Sequence, residues 1–142
     1  MELPTVTPIT QRFIDSSELN GRVTVVSGDV LRDQLEGSYD AAVLSAFIQV
    51  LSPEDAVRAL RRIRGIVVPG GSIYIIGNVV DNTRLSPISS VGFSLMTLSR
   101  YDDGQAYTEQ EYLDWLAEAG YAGGDISAIS GGFTLISAKN SS

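Results

Sequence analysis

The stretch from Tyr39 to Val80, YDAAVLSAFIQVLSPEDAVRALRRIRGIVVPGGSIYIIGNVV, constrains this chain more than any other. It reads as strand, loop, helix, turn, strand. Ala41, Ala42, Val43 and Leu44 form the short apolar run that a parallel strand covered on both faces requires. Ser52 offers a helix N-cap, Pro53 suits the first helical position, and Glu54 and Asp55 suit the positive end of the helix dipole. Ala56, Ala59, Leu60, Ile63 and Val67 fall at spacings of three, four, seven and eleven, which is one helical stripe. Pro69-Gly70-Gly71 is expected to stop the helix, and Ser72 to Val80 is strongly apolar. A parallel βαβ unit is the economical fold for this pattern.

The totals narrow the options. One hundred and forty-two residues suit one domain with a real core. A net charge of −7 argues against a phosphate-backbone binder, so no nucleic-acid partner is expected. There is no cysteine, which removes disulfides, thiolate nucleophiles and Cys-ligated metals. There is no histidine either, which removes the commonest general base and the commonest metal ligand. No run has the length of a membrane span and the N-terminus lacks a signal-peptide pattern, so the expectation is a cytoplasmic protein with no membrane partner. Arg58, Arg61, Arg62 and Arg64 lie opposite the apolar stripe and read as a solvated face, with Glu54 and Arg58 an i,i+4 pair. Asp81, Asp102 and Asp103 have no metal-loop spacing and read as loop residues.

Elsewhere, Val6, Ile9, Phe13 and Ile14 suggest a helix over Val6–Ser17 closed by Asn20-Gly21. Arg22 to Ser27 is β-branched and reads as a strand, followed directly by Gly28-Asp29. Val30 to Gly37 is a short connection with room for one helical turn. Ile88 to Leu98 is an apolar helix, and Thr108 with Glu111 has capping-box spacing ahead of Tyr112, Trp115, Leu116 and Ala119. Gly120 ends that helix. Asp125–Ile129 and Phe133–Ala138, joined at Gly131-Gly132, suggest an antiparallel hairpin at a sheet edge.

Taken in order, LP-x-V, RV-x-VV-x-GD, YD-x-x-x-LS, the LSPEDAVRALRRI helix, the PGG strand and T-x-x-EY-x-x-x-L-x-x-AGY resemble the class I S-adenosylmethionine-dependent O-methyltransferases. The resemblance is narrower still to the plant caffeate-type family and its bacterial antibiotic-tailoring relatives, and it runs from Glu2 to about Ala138. It implies an α/β, Rossmann-like methyltransferase fold with a C-terminal antiparallel strand pair. It implies S-adenosylmethionine as cofactor and a small-molecule acceptor. By this resemblance Glu2 stands at the acid that binds the cofactor ribose, a role that suits a bidentate carboxylate. Gly28 and Asp29 stand beside the adenine, with Val30 packing on its ring, and Ser45 and Ala46 line the methionine part. Phe47, Gln49, Asn78 and Met96, together with Phe93, would line the substrate side. Simple core packing is an equal reading for Phe93 and Met96.

The pattern also departs from the family. The family's first strand, glycine-rich loop and second strand would precede Glu2, so the expected domain, residues 1–142, is a truncated, partial catalytic domain. Gln49 stands where the resemblance places the catalytic His, and Gly77 where it places the Glu that orients it. Gln cannot take a proton from a phenol. In the family's sheet the two unmatched strands lie between the counterparts of Arg22–Ser27 and Tyr39–Leu44, which leaves edges that invite pairing. Either those strands pair directly, or a homo- or hetero-oligomer completes the sheet; the second is expected. No catalytic residue and no metal site is assigned. The chain is expected to be a methyltransferase-like domain, by ancestry one that transfers a methyl group to an oxygen or nitrogen of a small molecule, and inactive alone. The rivals are a non-catalytic partner or regulatory subunit of a complete homologue, a repurposed fold with non-methylating chemistry such as hydroxylation, and a fragment of a normal enzyme.

Overall fold

A computed structural model describes residues 1–19 and 21–141. In chain order its elements are α1 (Thr7–Asp15), β1 (Tyr39–Ser45), α2 (Pro53–Arg64), β2 (Val67–Gly77), α3 (Ile88–Leu98), α4 (Glu109–Glu118), β3 (Tyr121–Ala128) and β4 (Thr134–Asn140). They fall into two units, Met1–Leu35 and Glu36–Ser142.

In the second unit the strand order is β1-β2-β4-β3. β1 and β2 are parallel with α2 as the crossover, as a βαβ unit requires. β4 returns antiparallel to β2, and β3 pairs antiparallel with β4 at the edge. The hairpin expectation holds. β3 nevertheless starts earlier, at Tyr121, and the joint is a short 3₁₀ turn over Ser130–Gly132. β1 is the other edge, hydrogen-bonded to β2 alone in this sheet.

α2 forms where its sequence directs. The Ser52 Oγ accepts the N–H of Asp55, and Ala56, Ala59, Leu60 and Ile63 are buried. Each large aliphatic side chain so buried contributes about 1.5–3 kcal/mol. The expected stop at Pro69-Gly70-Gly71 is displaced: the helix ends at Arg64, where the Gly65 N–H bonds back to Arg61 and Arg62. Val67 therefore belongs to β2, not to the helix. The Pro-Gly-Gly residues are accommodated as an irregularity in that strand, since Tyr39 pairs with Val67 while Ala41 pairs with Ser72. A Cβ at Gly71 would lie 2.7 Å from the Asp40 carbonyl oxygen, so glycine is needed where the backbones approach. At the far end the ladder stops at Gly77, earlier than expected, and Val80 makes an isolated bridge with Thr108. The partner of Arg58 is Asp55 at 2.7 Å, one turn position closer than the expected Glu54.

α4 carries the complete capping box: the Glu111 N–H donates to Thr108 Oγ1, and the Thr108 N–H donates to a Glu111 carboxylate oxygen. Its buried face holds Tyr112, Trp115 and Leu116. Tyr107 stands edge-on to Trp115 with ring centroids 4.7 Å apart, and Tyr112 to Trp115 at 5.7 Å.

In the first unit α1 is shorter than expected and closes at Ser16; Asn20 lies outside the described residues. Its apolar stripe buries only Ile14, while Phe13 stays 71% exposed. Arg22–Ser27 is not a strand. Among the described residues the only ladder contact there is a parallel bridge between Glu2 and Ser27, so the β-branched run has no described neighbouring strand within this unit to pair with.

Candidate functional site

The carboxyl ends of the parallel strands β1 and β2 are where an open α/β sheet places its ligands. β1 ends at Ser45, whose side chain is exposed, and Ala46 follows with φ +53°. The Ala46 N–H donates to the Ile76 carbonyl, which ties this sharp turn to β2. Phe47 is half-buried, and a 3₁₀ turn over Ile48–Val50 then carries Gln49 inward to 5% exposure.

Gln49 and Gly77 interlock. The Gln49 Oε1 accepts the backbone N–H of Asn78 at 3.1 Å, and a Cβ on Gly77 would sit 2.8 Å from that same oxygen. The carboxamide occupies the space a side chain at 77 would need. The Gln49 backbone carbonyl accepts the N–H of Gln105 at 3.0 Å, so residue 49 is held through both its side chain and its backbone. Asn78, which supplies the hydrogen bond, is half-buried.

Sequence reasoning missed the support behind this pair. Gly104 packs so closely that a Cβ there would meet Thr97 Cγ2 at 2.7 Å and the Gln49 carbonyl oxygen at 3.1 Å. The Tyr107 hydroxyl bonds the Leu51 carbonyl oxygen, with the Asp103 carbonyl at 3.2 Å. The sole signal was an aromatic residue directly ahead of the Thr108 cap. Burial raises the Tyr107 pKa, with Gln105 opposing through a hydrogen bond, and burial drives Tyr112 further up, helped by Tyr107 and Glu111. Neither phenol is poised as a base near neutrality. On α3, Phe93 is half-buried and Met96 is 41% exposed, so Met96 is no core residue.

The first unit gathers Glu2, Gly28, Asp29 and Val30. The Glu2 N–H donates to the Val26 carbonyl and the Gly28 N–H to the Glu2 carbonyl, both at 2.9 Å. Asp29 Oδ1 accepts the Leu31 N–H at 2.8 Å, and Asp29 pairs loosely with Arg32 at 3.6 Å. That turn fixes the carboxylate. The Glu2 carboxylate has no hydrogen-bond or ion-pair partner among the described residues.

Asp81 caps its own loop. Thr83 donates to it from the side chain, and Leu85 and Ser86 from the backbone, which together hold its pKa below the usual carboxylate value. Among the described residues no group of His, Cys, Asp or Glu is placed to hold a metal ion. No described helix is long and apolar enough to cross a membrane.

A family model for the O-methyltransferase domain matches residues 1–122. The chain belongs to that family. It is 28% identical over 134 residues to the tetracenomycin polyketide synthesis 8-O-methyl transferase TcmO of Streptomyces glaucescens, covering 94% of this chain and 39% of TcmO. It is 31% identical over 108 residues to mouse acetylserotonin O-methyltransferase, covering 76% of this chain and 27% of the mouse protein. The solved structure of PigF with SAH, PigF being a methyltransferase of Serratia, superposes with a TM-score of 0.87 at 28% identity over 96% of this chain and 41% of PigF. The fold is thus the Rossmann-like α/β fold of these methyltransferases. The described sheet corresponds to their C-terminal part, and the chain spans between 27% and 41% of the length of these three relatives.

Proposed function

We propose that this chain is the acceptor-side portion of an S-adenosylmethionine-dependent methyltransferase that acts on a small, hydroxylated molecule. The observation that carries the reading is the arrangement at the ends of β1 and β2, where Ala46, Gln49, Gly77 and Asn78 converge within a family fold. The residues fit the cofactor chemically. The Glu2 carboxylate is unpartnered among the described residues and suits a pair of ribose hydroxyls; Asp29 is held by its turn to serve the adenine beside Gly28 and Val30. Ser45 and Ala46 serve the methionine part. When bound, S-adenosylmethionine supplies an electrophilic methyl group.

Alignment is the main requirement of such a transfer, so the chain's contribution is to position the acceptor between Phe47, Gln49, Asn78 and Met96. By themselves the 142 residues, which span 39% of the length of TcmO, are expected to show little or no methyl transfer. A second copy or a homologous chain that pairs with the open β1 edge is the expected partner, with no nucleic acid and no membrane involved. The Gln49–Gly77 interlock favours one alternative, a non-catalytic subunit that regulates a complete homologue.

Calorimetric titration with S-adenosylmethionine and its demethylated product, with the solution mass recorded alongside, tests the proposal. Micromolar binding supports it. A folded species that binds neither compound points to the non-catalytic subunit.

A further inference from the structure

Gln49 is 5% exposed, yet only one end of its carboxamide is used by the protein. The Asn78 N–H fixes Oε1, which in turn assigns the other end as the NH₂ donor. No described residue accepts a hydrogen bond from Nε2, and Nε2 is not among the fully enclosed atoms left without a partner. Nε2 is therefore open to the outside of the chain, where water or a ligand oxygen can accept from it. It lies past the carboxyl end of β1, where a sheet of this kind receives ligands.

We propose that Gln49 Nε2 is a specificity-determining donor that holds an anionic oxygen of the acceptor, so that the chain selects phenols already ionised when they bind. This rests on the methyltransferase reading above and names the substrate class within it. A neutral amide donor favours the phenolate over the phenol, because a hydrogen bond to a charged oxygen is the stronger one. It also removes the need for a base at this position: an oxygen that arrives ionised has no proton to give up. Gly77 makes the arrangement possible by leaving room for Oε1.

The test uses 4-nitrophenol as a chromophoric probe, titrated into the full 142-residue chain across the probe's own ionisation, with and without S-adenosylmethionine. Wild type should bind the phenolate in preference to the phenol and lower the bound probe's pKa. Gln49→Glu keeps an oxygen for the Asn78 N–H, so it retains the fold while losing the donor. Gln49→Met loses the donor without adding charge. Both should weaken phenolate binding by about ten-fold or more. Circular dichroism confirms that each variant is folded. If the cofactor binds but phenolate affinity is undetectable or equal in all three proteins, the inference falls and the methyltransferase reading stands. If the phenolate preference depends on Gln49 but the cofactor does not bind, the donor assignment stands and that reading falls. If neither binds, both fall.

Discussion

The Asn140 Nδ2 donates to the Val67 carbonyl at 2.6 Å, joining the last residue of β4 to the first of β2. Asn140 is 4% exposed, and the carbonyl of Arg64, the last residue of α2, lies 3.4 Å from the same nitrogen. One carboxamide thus closes the helix-to-strand corner that the sequence reading placed four residues too late.

Asn140→Ala should therefore destabilise the second unit by about 1–3 kcal/mol, because the Val67 carbonyl is left buried without its donor. Urea denaturation followed by circular dichroism measures this. An unchanged midpoint would show that water replaces the side chain.

Gly77→Ala should cost about 1–3 kcal/mol, since its Cβ would meet Gln49 Oε1 at 2.8 Å. In a Gln49→Ala background the same change should cost less, with a coupling energy of about 0.5–3 kcal/mol. A double-mutant cycle reads that coupling directly; simple additivity would refute the interlock.

The two ends of Glu111 should separate in energy. Thr108→Ala removes the capping box and should cost about 1 kcal/mol. Arg84→Ala removes a 2.6 Å ion pair between half-exposed side chains and should cost about 0–1 kcal/mol, less at high salt. Thermal melts at two ionic strengths distinguish the two contributions.

Burial pushes the Tyr121 phenol up from 10.0 to about 12, against a smaller opposing effect of the Arg64 charge. A raised folded pKa means that this contribution is fully present below pH 10 and is lost as pH rises toward 12. The decline should be on the order of 2 kcal/mol. Tyr121→Phe should flatten it, as read from urea midpoints across that range.

The βαβ unit was legible because Ser52, Pro53 and the Ala56–Ile63 stripe all favour one structure. Pro69-Gly70-Gly71 misled because turn chemistry is a local signal. Whether a strand can continue around those residues depends on the Asp40 backbone, remote in sequence. Arg22–Ser27 misled for the converse reason: its composition suits a strand, but a strand also needs a neighbour. The positions of Gln49 and Gly77 were visible through the family resemblance, whereas their contact was not. Nothing in the spacing of an amide and a glycine says that one fills the other's missing side chain.

The interlock also restricts how this chain can evolve. With Gln49 in place, a side chain at 77 meets an occupied volume, so the carboxamide has to give way before a larger residue is accepted there. Replacement of Gln49 by a smaller residue opens the space and lets 77 vary. What a substitution at 77 costs therefore depends on which residue already stands at 49, so the order in which the two change sets the height of each step.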